Sequence, residues 1–267
     1  SKDFAPHAVK AGAVVIDNSS AFRMDPEVPL VVPEVNPQAI LKHKGIIANP
    51  NCSTIIMVMA LKPIYDLAKI KRVIVSTYQA VSGAGKEGID ELDAQVRDHS
   101  EGREMTANIL PSASAEKHYP IAFNLIPQID VFCDNLYTKE EMKMVNETKK
   151  IMEDYEMRIT ATTIRVPVYR SHSESVNIEL EKEVDLGAMR EALAKFPGVT
   201  VQDDPSKQEY PMPLYTSEKD DVYVGRLRRD ESCEKSYNMW VVGDQIRKGA
   251  ALNTLQIAET MIKNGWI

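Results

Sequence analysis

The stretch Ile46–Ile64, IIANPNCSTIIMVMALKPI, decides how this sequence is read. An extended apolar pair leads into Asn49-Pro50-Asn51, a cysteine follows, and Ser53-Thr54 opens an unbroken apolar run. Strand or loop therefore turns into helix at the cysteine. If Ser53 or Thr54 begins the helix, Cys52 lies at its N-terminal edge, beside unpaired backbone N–H groups and about half a positive charge. Both effects favour the thiolate, the reactive form of the side chain. The same N–H groups can cradle an oxyanion or a phosphate. The competing account is a small apolar residue buried at a helix start. Cys133 and Cys233, which have no such setting, are read in that second way.

The rest of the chain narrows the choice. Its 267 residues suffice for a substantial core in one or two domains, with 43% apolar and 27% charged residues. A net charge of −7 without a basic stripe argues against a nucleic-acid partner. No apolar run approaches the roughly 18–20 residues of a membrane span. Three separated cysteines and five histidines form neither a disulfide framework nor a metal-ligand spacing, so no metal is expected and a reducing cytoplasm is the simplest setting.

The opening residues read as a short helix, a turn at Gly12 and a β-branched strand, Val14 to Ile16, ending in a polar loop. Such an opening belongs to an α/β sheet, whose ligands sit at the strand ends. No strand, glycine loop and helix of a doubly wound nucleotide-binding sheet precede it. The expectation is therefore that the first part of an N-terminal domain is missing. KRVIVSTYQAVSGAGKEGIDELDAQV reads as strand, Gly-rich loop and polar helix, and residues 100–120 as a long excursion. TKEEMKMVNETKKIMEDY reads as an amphipathic helix with Met142, Val145, Ile151 and Met152 as its apolar stripe. Strands ITATTIRVPV, SVNIEL, VYVGRLRR and YNMWVV follow, with a helix at LGAMREALAKF. A last helix has Asp244 as candidate N-cap and Gly265 past its end.

Four separated motifs, NPNCSTI, STYQAVSGAGK, HYPIAFNLIPQID and RVPVYRSHSESV, occur in an order that closely resembles bacterial-type aspartate-semialdehyde dehydrogenases over essentially the whole chain. The resemblance implies a partial Rossmann-type NADP-binding domain over residues 1–48 and an α+β catalytic and dimerisation domain over 49–243. The latter is of the glyceraldehyde-phosphate-dehydrogenase-like type. Helix 244–267 returns to the first domain. It further implies a cytoplasmic homodimer that reduces L-aspartyl 4-phosphate to aspartate 4-semialdehyde with NADPH and releases phosphate. That reaction serves lysine, threonine, methionine and diaminopimelate biosynthesis.

The resemblance also assigns residues. Cys52 is the nucleophile that takes the aspartyl group as a thioester, a role suited to a thiolate because it both attacks and leaves well. His172 is the acid/base, since imidazole exchanges protons near neutral pH. Gln79 orients the thiol and the acyl group. Arg165 grips the substrate carboxylate, Glu140 reads its ammonium group, and Lys143, Arg23 and Asn51 form the phosphate site. Ser82, Gly83, Ala84 and Gly85 pass the nicotinamide end of NADPH, with Asn253 and Asn18 also facing the cofactor. Without the motifs, Glu140 and Lys143 read better as an exposed i,i+3 pair.

The family's N-terminal glycine fingerprint is not found in these residues, so the chain alone is expected to bind NADPH weakly or not at all and to turn over little. Two alternatives stay open. N-acetyl-γ-glutamyl-phosphate reductase shares the thioester logic, although NPNCST departs from its pattern. A non-catalytic dimerising remnant without a cofactor half is the other.

Overall fold

The computed structural model describes residues 1–113 and 115–267. The excursion expected over 100–120 begins at the last residue of a helix, Ser100, and contains no helix or strand among its described residues beyond it; Ser114 lies outside them. Helix α1 (Ala5–Lys10) leads through Gly12 to strand β1 (Val15–Asp17), which pairs in parallel with β2 (Ile46–Ala48). Helix α7 (Leu252–Asn264) returns from the far end of the chain to cover this small sheet. Ile257 and Met261 of α7 pack there with Val31, Ile40 and Ile47.

Helix α2 (Cys52–Leu67) carries the apolar run into the main core. Residues 53–61 are buried without a break, so the helix is apolar all round and sheathed by protein on every side. Asn51 caps it: its side chain accepts from the Thr54 N–H at 3.1 Å. Cys52 is thus the first helical residue, one position earlier than the Ser53 or Thr54 start expected.

Beneath α2 lies a six-stranded mixed sheet, with β3 (Ile70–Gln79), β4 (Arg158–Arg165), β5 (His172–Leu180), β6 (Val199–Val201), β7 (Val222–Arg229) and β8 (Ser236–Gly243) in the order β4-β3-β5-β8-β7-β6. Period-2 alternation turns Val73, Val75, Val176, Ile178, Met239 and Val241 toward the core. Helices α4 (Lys139–Met152) and α5 (Leu186–Lys195) complete that side. Helix α3 (Lys86–Ser100) and the turn at Val81–Ala84 pack with the excursion in a separate cluster around Leu92, Leu110 and Ile121. A single helical turn, α6 (Pro213–Thr216), lies beside β8.

Register puts three strand ends at one place. Gln79 closes β3 opposite Arg165, the last residue of the parallel β4. The antiparallel β5 begins there with His172, opposite Gly243 of β8. Gly243 lets α2 sit down on this corner, because a Cβ there would meet Ile56 Cγ1 at 2.9 Å.

Several expectations are corrected. Of the expected stripe of α4, Ile151 is buried and Met152 packs against the core, but Met142 and Val145 are not covered; Met144 is buried instead, together with Glu140, Glu141 and Glu147. Glu141 serves a capping box with Thr138 through one oxygen and accepts the Thr163 N–H of β4 at 3.0 Å through the other. Cys233 is exposed rather than packed. Asp244 does accept the N–H groups of Ile246 and Arg247, yet what it caps is a π-helical segment, Arg247–Ala251, that precedes α7.

Candidate active site

The sheet corner opens into a cavity of about 260 Å³ lined by Cys52, His172, Gln79, Arg165, Glu140, Lys143, Arg23 and Asn51, with Gly83 closing one side. Every residue expected to be catalytic or to hold the substrate therefore meets in one space.

Cys52 reaches it from the start of α2 and His172 from the start of β5. The Gln79 amide donates to Ser53 Oγ and to Glu140 Oε1, the latter at 3.1 Å, which locks its orientation beside the thiol. Glu140 Oε1 also accepts from Asn51 Nδ2 at 2.9 Å, and Glu140 Oε2 pairs with Lys143 at 3.1 Å. Lys143 continues to Asp130 at 3.0 Å. Burial opposes charge on both partners, but their mutual attraction and hydrogen bonds win. Glu140 is held below the ordinary carboxylate range and Lys143 above the ordinary lysine value.

Arg165 spends one N–H on the Ala80 carbonyl at 2.7 Å and is 4% exposed; its Nε has no protein partner. An under-used buried guanidinium is suited to a carboxylate ligand. Burial lowers its pKa. Arg23 is anchored by three bonds: Nε to the Asn49 carbonyl at 2.9 Å, Nη2 to the Asn18 carbonyl at 3.1 Å, and Nη1 to Glu147 at 3.3 Å. Two of its five N–H groups remain for an anion.

The state of the thiol overturns the expectation of an easily formed thiolate. Desolvation in the narrow cavity and the adjacent Glu140 carboxylate push the Cys52 pKa up to about 12; the Ser53 N–H, Arg23 and Arg165 pull it down but do not prevail. Cys52 is partly exposed by area, so the desolvation comes from the enclosing walls and not from a dry core. His172 is neutral as well: burial first, then Arg165, depress its pKa well below 6.5. The resting pair is thiol and imidazole.

The turn at Val81–Ala84 explains its glycine. A Cβ on Gly83 would stand 2.8 Å from Arg165 Nη1 and 3.3 Å from His172 Nε2, so only glycine lets this turn close over both. Ser82 accepts from the Gln245 amide, and Gly85 has φ +87° with open space beside it. Gly83 and Gly85 keep this edge low, which suits the approach of a planar ring. Asn253 does not face the cavity: its amide donates to the Val31 carbonyl and to Asn49 Oδ1, and accepts from Lys248. Asn18 is exposed beside the cavity and accepts from Asn49 Nδ2 at 2.7 Å. Among the described residues no cluster of His, Cys, Asp and Glu can hold a metal ion, and no helix is long and apolar enough to cross a membrane.

Sequence reasoning missed Glu147, Asn49, Ala80 and Gly249. Glu147 was within reach, since it follows Glu140 by seven positions and so shares its helix face. Gly249, in the π-helical segment, has no sequence signal: a Cβ there would meet Cys52 Cβ at 3.0 Å.

Comparison with known proteins places the chain in the semialdehyde dehydrogenase class. Residues 61–248 match the family described as semialdehyde dehydrogenase, dimerisation domain, and residues 1–43 its NAD binding domain. The chain is 56% identical to an aspartate-semialdehyde dehydrogenase of Aquifex aeolicus (strain VF5), covering 100% of this chain and 77% of that protein. It is 53% identical to one of Bacillus subtilis (strain 168), covering 98% and 76%. The crystal structure of aspartate semialdehyde dehydrogenase II from Vibrio cholerae superposes with a TM-score of 0.93 at 48% identity, over 98% of this chain and 76% of that one. The same Vibrio protein has been solved in complex with ASA, and the Candida albicans enzyme with NADP superposes with a TM-score of 0.75 at 25% identity. The chain belongs to the aspartate-semialdehyde dehydrogenase family.

Proposed function

We propose that the Cys52 cavity carries out the reductive dephosphorylation of L-aspartyl 4-phosphate to aspartate 4-semialdehyde. The observation that carries this reading is the meeting of Cys52 with His172, Gln79, Arg165, Glu140, Lys143 and Arg23 in one cavity. Arg165 holds the substrate carboxylate and Glu140 the ammonium group. An acetylated amine carries no charge for Glu140 to pair with, which disfavours the acetylglutamyl-phosphate alternative. Lys143, Arg23 and Asn51 hold the phosphoryl group over the thiol.

Cys52 Sγ attacks the acyl carbon, the C–O bond to phosphate breaks, and the thiol proton leaves on the departing group as hydrogen phosphate. His172, with its proton on the nitrogen that faces the cavity, stands to stabilise the carbonyl oxygen as negative charge develops there. Gln79 keeps the acyl group in plane for the second step. NADPH, when bound, supplies the hydride that reduces the thioester. The residues that would admit its nicotinamide end are Ser82, Gly83, Ala84 and Gly85, where the missing side chain of Gly83 leaves the approach clear; Asn18 lies near the same opening. Collapse then returns the sulfur as thiolate, which regains a proton. The chain acts as a homodimer in the cytoplasm.

Incubation with L-aspartyl 4-phosphate in the absence of NADPH tests the reading. One equivalent of phosphate should be released and the peptide containing Cys52 should carry an aspartyl group. Phosphate release without that adduct, or an adduct on another residue, defeats it.

A further inference from the structure

Glu140, Lys143, Glu147 and Lys150 follow one another along α4 at spacings of three, four and three residues, a single line down the helix. The first pair faces the substrate cavity. Lys150, at the other end, donates to the carbonyls of Arg23, Asp25 and Val28 at 2.8, 2.7 and 2.8 Å and so fastens the loop that carries Arg23. Glu147 sits between them, outside the cavity lining and 1% exposed. One carboxylate oxygen pairs with Arg23 Nη1 at 3.3 Å, and the other accepts the Asn51 backbone N–H at 2.6 Å. Asn51 caps the helix that begins with the nucleophile.

We propose that Glu147 is a positioning residue for the anion site, holding Arg23 and the Asn51 amide as a carboxylate and taking up a proton when a dianion binds. This rests on reading Arg23, Asn51 and Lys143 as the phosphate site.

The argument is a competition for one cation. With three of its N–H groups committed, Arg23 meets an arriving dianion with the two that remain, while Glu147 already claims the same guanidinium. A second negative charge at this buried cation raises the carboxyl group's hold on a proton. Glu147 stands close to that point: burial, opposed by Arg23 and the Asn51 N–H, pushes its pKa up to about 7, and Glu140 adds to the rise. The charged groups around it are Arg23 from the loop after β1 and Glu140 and Lys150 from its own helix; α2 offers the Asn51 amide. Once neutral, Glu147 can keep an oxygen on Asn51 while Arg23 turns its charge to the anion.

Sulfate is the probe, because it is a dianion with no proton of its own to exchange near neutral pH. Its binding is measured by titration calorimetry at pH 7 in two buffers of different ionisation enthalpy. The unsubstituted protein should take up a fraction of a proton per sulfate. Its affinity should fall by up to about tenfold per pH unit above neutrality. Glu147→Gln should bind sulfate with no proton uptake and with an affinity that no longer depends on pH, whereas a merely structural loss would weaken binding at every pH. Equal heats in the two buffers for the unsubstituted protein overturn the proposal without needing any variant, and so does proton uptake that persists in Glu147→Gln. If sulfate fails to bind, or binds equally well to Arg23→Ala, the phosphate-site reading fails and the proposal falls with it.

Discussion

The backbone N–H of Ala80 donates to Nδ1 of His172 at 3.0 Å. The acceptor nitrogen must be unprotonated, so the neutral ring carries its proton on Nε2, which lies beside Gly83 and has no protein partner. Forming the imidazolium would require a second proton on Nδ1 where an N–H already points. This is the geometric counterpart of the depressed pKa that burial and Arg165 impose.

The ring should therefore stay in the Nε2–H form as the pH falls through the ordinary histidine value near 6.5. Nitrogen-15 NMR of the histidines gives a direct reading: the His172 pair should show one protonated and one lone-pair nitrogen throughout. A titration midpoint near the ordinary histidine value would contradict the assignment of the proton to Nε2.

Cys52 is expected to be a slow thiol in the unliganded protein. Its raised pKa means that the reactive fraction at pH 7 is far below that of an ordinary exposed cysteine and keeps growing with pH beyond 9. Iodoacetamide at pH 7 should thus label the exposed Cys233 before Cys52, with the order narrowing as the pH rises. Peptide mapping of the alkylated protein checks it; fast labelling of Cys52 at pH 7 would show that the N–H groups of α2 outweigh burial and Glu140. Cys52→Ser should depress turnover by more than about 10³-fold, since the thioester route closes.

Two glycines hold the reactive groups at their distances. Gly83→Ala puts a methyl group 2.8 Å from Arg165 Nη1 and 3.2 Å from His172 Cε1, and Gly249→Ala puts one 3.0 Å from Cys52 Cβ. Each should cost roughly 10²-fold in kcat, the scale of an ångström of misplacement. Gly83 lies in a surface turn, so its variant should keep its thermal midpoint, and circular dichroism melts alongside kcat separate a displaced site from a damaged fold.

The legibility of this site followed the distance over which each signal acts. Cys52, Gln79, Arg165 and His172 sit at ends of elements whose types were readable from local pattern, and the motifs supplied their roles. What local pattern cannot carry is the dielectric they share. A helix start favours a thiolate, yet whether it prevails depends on Glu140, 88 residues away along the chain, whose carboxylate faces the same cavity. The stripe of α4 held at Ile151 and Met152 and failed over its first two turns for a related reason. Met142 and Val145 have helical spacing, but the face that meets Arg23 and Asn51 is fixed by ion pairs, and it buries Glu140 and Glu147 instead. Asn253 reads as a ligand-facing amide on the last helix, although Lys248, itself buried against Glu34, occupies it.

Glu174 supplies a test that depends on no reading of the chemistry. Two residues after His172 on β5, it is fully buried, and neither carboxylate oxygen has a protein partner. Its cross-strand neighbours are Thr77, whose hydroxyl is also unpartnered, and Val241. Burial alone raises its pKa well above 4.5, so the folded protein holds the neutral acid. The unfolded chain, by contrast, ionises it near pH 4.3. Because the folded value is the higher, the contribution to stability is complete below the unfolded pKa and is lost as pH rises toward the folded one, at about 1.4 kcal/mol per pH unit. Glu174→Gln removes the titration, so the stability of the variant relative to the parent should improve steadily from about pH 4 to pH 7. Urea unfolding of both proteins across that range measures the difference, in which shared titrations such as that of His172 cancel. Curves that stay parallel would mean that Glu174 is ionised in the folded protein and that a counter-charge reaches it.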